Sequence, residues 1–289
     1  MKNNRDCQAG EFFFRFYKKH TASFLANVYM AGITGTSKDI HRARLDVKKI
    51  LAILDLLRIV RNKNEKNPAY ERIFKNLYQA SGRIREIQVN QLLLTRPEFE
   101  TFDLSPYSSN LLQQEKGRTR EFLHAIRKFN EKRLSKADDK IKNEAFKITP
   151  RTLQNKVNRY IRTKTDKFIN LLEKGCDEKD LHKVRQHLKE FSTVLSLVIS
   201  FKYSRKLEMV IESLNKTEMM IGDWHDKVVL ADSMKGFLDN AGSSPEILPD
   251  PVRECYNRLI EDNRNLIESL NHDVKTVITR GFPMVDPDD

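Results

Sequence analysis

Cysteine is scarce: Cys7, Cys176 and Cys255 stand far apart, with no Cys-x-x-Cys spacing among them. That argues against a disulfide framework and a thiolate metal site, so the three are read as ordinary reduced cysteines. Glycine and proline are sparse too, ten and nine in 289 residues. So few breakers among many Lys, Arg, Glu and Leu predict long helices. No apolar run approaches the ~18 residues of a membrane helix, so no membrane insertion is expected. Phe12, Phe13 and Phe14 are followed at once by Arg15, Lys18 and Lys19, unlike the core of a signal peptide. The expected location is therefore cytoplasmic. Acidic residues fall short as well: 40 Asp and Glu against 52 Lys and Arg leave a net charge of +12 and a pI of about 9.5. A chain this basic attracts polyanions, whether nucleic acid, an anionic membrane surface or polyphosphate, and charge alone does not choose among them. The cations are spread along the chain, so no disordered basic tail is indicated.

Apolar residues make up 39% and charged residues 32%, which suits a set of amphipathic helices and is too apolar for a disordered chain. The length is ample for a buried core. Periodicity and breakers predict helices at about 9–31, from the 37–39 cap to about 62, and at about 69–94 and 109–134. The pattern resumes at about 152–174, 181–199, 205–238 and 252–280. Ser37 or Asp39 is the candidate cap of the second helix, and Asp177 or Asp180 that of the sixth. Gly175 is a stop for the fifth. Residues 64–68, 95–108 and 240–251 read as loops, and 286–289 as an acidic tail. Residues 136–149 are charged, weakly apolar and followed by Pro150, and read as a linker.

Two of these helices carry the same pattern. Ile40-His41-Arg42-Ala43-Arg44-Leu45-Asp46-Val47-Lys48-Lys49 and Leu181-His182-Lys183-Val184-Arg185-Gln186-His187-Leu188-Lys189-Glu190 each place His, a basic residue at +1, Arg at +3 and Lys at +7. Ala43, Val47, Ile50, Leu54 and Leu57 share one face of the first, as Val184, Leu188, Phe191, Leu195 and Val198 do of the second. His41, Arg44 and Lys48, and likewise His182, Arg185 and Lys189, then form a cationic column about 10 Å long on another face. Stacked cations repel one another, and an extended polyanion lying along the column would relieve them. A solvated helix face is the plain alternative for one such column, and repetition argues against it.

The repetition extends beyond the columns. Ser81-Gly82-Arg83-Ile84-Arg85-Glu86 matches Ile221-Gly222-Asp223-Trp224-His225-Asp226, and Arg120-Glu121-Phe122-Leu123 matches Arg264-Asn265-Leu266-Ile267. The offsets run from 140 to 144 residues. The chain is therefore read as all-α, with two pseudo-symmetric four-helix bundles arising by internal duplication. Repeat one covers about 9–135 and repeat two about 150–281. Trp224 is read as core rather than as a stacking platform.

His-x-x-Arg-x-x-x-Lys near the start of a helix, twice in one chain, resembles the CHAD domain, the conserved histidine α-helical domain. The resemblance covers most of the chain, as a single domain over 1–289. It implies two similar helical bundles packed around a basic groove that binds inorganic polyphosphate. The residues themselves offer no nucleophile with a base, Gly-rich phosphate loop or carboxylate pair, so a non-catalytic binder with no cofactor, catalytic residue or metal site is expected. By this reading His41, Arg44, Lys48, Lys49, His182, Arg185 and Lys189 bind the polyanion. Arg42, Lys183, Arg83, Arg85, His225, Arg120 and Arg264 are candidates for the groove wall. The expected partner is inorganic polyphosphate or another polyanion, with polyphosphate granules as a possible setting. In the family a further basic residue often follows the Lys; Lys49 supplies it in the first repeat, and Glu190 replaces it in the second.

Two other functions use the same residues. A nucleic-acid binder fits the charge, although no helix-turn-helix or aromatic RNA-binding motif is evident. A metal-dependent phosphohydrolase would draw on His182, His225, Asp226 and Asp273. The repeat weighs against it: the counterpart of His225 is Arg85, and arginine does not ligate a metal, whereas both side chains serve an anion.

Overall fold

A computed structural model describes residues 7–61, 68–173, 177–200, 205–241 and 250–281. Among the described residues every regular element is a helix. The α-helices are α1 (Cys7–Thr34), α2 (Ser37–Val60), α3 (Pro68–Leu93), α4 (Ser105–Arg127) and α5 (Glu131–Ala145), followed by α6 (Pro150–Glu173), α7 (Glu178–Ile199), α8 (Arg205–Ala241) and α9 (Asp250–Gly281), with one short 3-10 turn, Pro97–Phe99. None of them is long and apolar enough to cross a membrane. The all-α expectation and the positions of seven helices agree with this; the fourth, expected over about 109–134, instead ends at Arg127, and a new helix begins at Glu131. The expected loop residues 64–67, the stop at Gly175, residues 242–249 and the acidic tail lie outside the described residues.

The segment 136–149 differs from expectation. Expected as a linker outside the helices, it belongs for the most part to α5, which buries Leu134, Ala137, Ile141 and Ala145 along one face. Asn130 caps this helix by accepting from the Arg133 N–H. α5 packs on α1 and α3. It meets α1 so closely that a β-carbon on Gly10 would run into the carbonyl of Ala145. The cap of α2 is also displaced from expectation. Thr36 accepts from the Asp39 N–H, and its hydroxyl donates to the Asp39 carboxylate at 2.7 Å. Asp177 caps α7 as expected, through the Asp180 N–H.

Helices adjacent in sequence pack on one another: α1 on α2, α2 on α3, α3 on α4, then α6 on α7, α7 on α8 and α8 on α9. α1 also meets α4, and α6 meets α9. Between the halves, α2 lies against α6 and α7, and α3 against α8. The main hydrophobic cluster accordingly draws on both halves, with Phe13, Phe24, Ile50, Phe74 and Phe122 in contact with the same core as Phe168, Phe191 and Trp224. Trp224 is 1% exposed, a core residue as expected. A second cluster joins the ends of α3 and α8 to the starts of α4 and α9 through Leu93, Phe99, Tyr107, Met234 and Leu259. There the Tyr107 hydroxyl donates to Ser233 at 2.8 Å, and burial pushes its pKa up to about 12. Removing one of these fully buried aromatic side chains costs about 3–5 kcal/mol, so α2, α3, α7 and α8 are held firmly where they meet.

Candidate functional site

Burying Ala43, Val47 and Ile50 of α2 turns His41, Arg44 and Lys48 toward α3 and α7, where all three are half-buried. Arg44 is the most constrained. Its Nη1 donates to the Tyr78 carbonyl at 2.8 Å, and its guanidinium lies 4.2 Å from the centre of the Tyr78 ring. Opposite it α3 has Gly82, where a β-carbon would come within 3.2 Å of Nη1. His41 Nδ1 is buried and has no hydrogen-bond partner among the described residues. Burial, then the charges of Arg85 and Arg44, hold the His41 pKa below its usual value.

On α7 the arginine again faces a glycine: a β-carbon on Gly222 would lie 4.0 Å from Arg185 Nε. The remaining contacts are different. Arg185 Nη2 is 3.7 Å from Asp226 Oδ1, and Lys189 Nζ is 3.8 Å from Glu218 Oε1. Arg185 Nε is buried without a hydrogen-bond partner among the described residues, and burial lowers the guanidinium pKa from its usual value. Burial and the neighbouring Arg185 push Lys189 down to about 8, against the pull of Glu218. The His182 ring stands 4.6 Å from that of His225 and 5.1 Å from that of Trp224. Burial and then the charges of Arg185, His182 and Lys189 hold His225 neutral, with a pKa of about 3.

The two columns are close enough to act on one another. The charge of Lys48 adds to the depression of Lys189. Arg85 of α3 bears on His41 of α2 and also on Asp226 of α8. Burial raises the Asp226 carboxyl, while Arg185, Lys189 and Arg85 pull it back. The structure thus brings His41, Arg44, Lys48 and Arg85 of the first half into one electrostatic neighbourhood with His182, Arg185, Lys189 and His225 of the second.

Other residues singled out in the sequence lie elsewhere or are engaged locally. Lys49 is exposed, and its charge bears on His20 of α1, which is bonded to the buried Asp46. Arg42 stands 3.8 Å from Asp39 and Lys183 2.8 Å from Asp180, each within the first turns of its own helix. Arg83 lies 3.3 Å from Glu121 of α4. Arg120 and Arg264 are exposed on α4 and α9. Asp223 reaches the segment after α3, where Arg96 Nη1 is 2.7 Å from its carboxylate. Among the described residues no three His, Cys, Asp or Glu side chains gather as metal ligands, so His182, His225, Asp226 and Asp273 do not form such a set.

Tyr78 and Glu218 are the site residues that sequence reasoning missed. Each lies one turn before its glycine, at the same offset that relates Gly82 to Gly222. Their chemistry differs, one an aromatic ring and the other a carboxylate, so a search for like residues passes over them.

A family model for the CHAD domain matches residues 16–235. Among solved structures, the crystal structure of the CHAD domain from the plant Ricinus communis superposes with a TM-score of 0.76 at 14% identity, covering 96% of this chain and 94% of that one. No curated protein matches the chain. The family match, spanning most of a chain that repeats His-x-x-Arg-x-x-x-Lys on α2 and α7, places the protein in the CHAD domain family.

Proposed function

We propose that the protein binds inorganic polyphosphate, without catalysis, in a basic groove where α2, α3, α7 and α8 meet. On this reading the duplicated halves are two related four-helix units, and each contributes one column to a shared wall. The observation that carries the proposal is the convergence of the columns: Lys48 depresses Lys189 across the α2–α7 contact, and Arg85 bears on groups of both halves. Membership of the CHAD domain family supports it.

The physical argument is one of relief. His41, Lys189 and His225 are all held toward their uncharged forms by burial and by neighbouring cations. A phosphate chain supplies the opposite charge and offsets the cost of protonating them. Arginine offers phosphate a planar fork and lysine a mobile point charge. Neither reads a base, and a polymer of identical phosphates has none to read.

The test is a titration with long-chain polyphosphate at several salt concentrations. Log K should fall linearly with log salt, at about −0.7 per ionic contact by analogy with single-stranded nucleic acid. A flat response would overturn the proposal. In competition, polyphosphate should displace mixed nucleic acid at low excess; the reverse result would favour nucleic acid as the ligand.

A further inference from the structure

Arg83 and Arg85 are two residues apart on α3 and serve different surfaces. Arg85 bears on His41 and Asp226, whereas Arg83 turns to Glu121 of α4. The Arg83 side opens into a cleft of about 310 Å³ between α3, α4 and the start of α5. Four permanent cations line it, Arg72, Arg83, Lys128 and Arg133, against the single carboxylate of Glu121. That carboxylate is already shared between Arg83 at 3.3 Å and Arg118 at 2.8 Å. Arg72, Lys128 and Arg133 are exposed, and among the described residues none has an acidic partner. Lys128 stands at the end of α4, where a cation complements the helix dipole. Arg72 and Arg83 do not belong to that helix end: they stand in the first turns and the middle of α3 and face the cleft from across it.

The cleft is not uniformly polar. Ile73, Leu77 and Phe129 form an apolar wall beside the cations, and Asn76 and Gln79 offer amide groups at its edge. Its volume suits one small molecule rather than a long chain. We propose that this cleft is a second anion site, for a nucleoside polyphosphate. Its phosphates would lie on Arg72, Arg83, Lys128 and Arg133, and its base against Ile73, Leu77 and Phe129. Asn76 and Gln79 are placed to hydrogen-bond the edge of a heterocycle. The site is separate from the polyphosphate groove and does not depend on that assignment.

The test uses the full chain and calorimetric titration with ATP, GTP and inorganic tripolyphosphate, which has comparable charge and no base. At least one nucleotide should bind about tenfold more tightly than tripolyphosphate, because only it uses the apolar wall. Arg133→Glu and Lys128→Glu should each weaken the nucleotide by about tenfold, and change long-chain polyphosphate by no more than about twofold. Both residues are exposed, so circular dichroism and melting should match the wild type. Arg44→Glu should leave nucleotide binding unchanged within the same twofold. In the Arg44→Glu protein, whose groove is weakened, neither nucleotide exceeding tripolyphosphate would overturn the proposal, as would nucleotide binding that is lost with Arg44→Glu and kept with Arg133→Glu.

Discussion

Arg44 lies against Gly82 so closely that a β-carbon there would stand 3.2 Å from its Nη1. In the other half the corresponding distance, from Gly222 to Arg185 Nε, is 4.0 Å. The first is tight and the second is ordinary contact, so one substitution should behave differently at the two sites. Alanine at either glycine gains about 1 kcal/mol of helix propensity. Gly222→Ala should therefore stabilise by about 0.5–1 kcal/mol and leave polyphosphate affinity unchanged. Gly82→Ala should gain less, because the guanidinium must shift and strain its bond to Tyr78, and affinity should fall by a few-fold. Urea denaturation and polyphosphate titration of both variants provide the check. Equal affinity losses would show that the distance to the arginine is not what matters.

Lys48 offers a clean test of the groove. It is the half-buried member of the first column whose charge reaches Lys189 of the second, with no acidic partner among the described residues, and does not stack as Arg44 does. Lys48→Glu should weaken polyphosphate by about tenfold or more, since it places a like charge in the ligand's path. Lys140→Glu on the exposed face of α5 makes the same change in net charge and should cost no more than about twofold. Neither should move stability by more than about 1 kcal/mol. Equal losses in titrations at one salt concentration would reduce the groove to bulk basicity.

The helices around the site were legible because their apolar positions are large. Val47, Ile50, Leu188 and Phe191 mark their faces without ambiguity. α5 was missed because two of its four buried positions are alanines, Ala137 and Ala145, set among many charges. Its apolar stripe becomes decisive only when α1 approaches at Gly10. The cap of α2 is Thr36 rather than Ser37 or Asp39 because all three side chains are competent, and backbone geometry selects among them. The columns could be read from spacing along one helix. Their partners could not, since Tyr78 and Glu218 come from the next helix in each half. The separation of Arg83 from Arg85 likewise depends on what packs on each side of α3.

Glu218 and Asp226 act as internal counterions. They sit 3.8 Å from Lys189 and 3.7 Å from Arg185, too far for good hydrogen bonds and near enough for attraction. The first column has the Tyr78 ring where the second has Glu218. A polyanion must therefore compete with carboxylates only in the second half. Glu218→Gln should raise polyphosphate affinity by about three- to tenfold at low salt, and less at high salt. Asp226→Asn should act in the same direction, with some loss of stability because Arg185 loses its partner in a half-buried setting. A fall in affinity with Glu218→Gln would mean that this carboxylate positions Lys189 rather than neutralising it.

The last prediction concerns alkaline pH. In the free protein burial and the neighbouring Arg185 bring the Lys189 pKa down to about 8, from an ordinary 10.5. Its neighbours are Arg185 on its own helix, Glu218 and Asp226 on α8, and Lys48 on α2. Because the folded value is depressed, the protonated amine carries a folding penalty that is fully present below about 8 and disappears as pH rises toward 10.5. Lys189 alone therefore makes stability rise across that window. Binding has the opposite sign. A bound polyanion favours protonated Lys189, so above about 8 binding is coupled to uptake of a proton from solvent. Log K should fall as pH climbs from about 8 toward 10.5, by at most about one unit per pH unit from this group. Lys189→Arg keeps its charge throughout and should flatten the decline. Lys189→Met should flatten it too, from a lower starting affinity. Titrations of the three proteins across this range at constant ionic strength separate the cases. If the wild-type decline persists in both variants, its source is another group, and Lys189 does not contact the ligand as proposed.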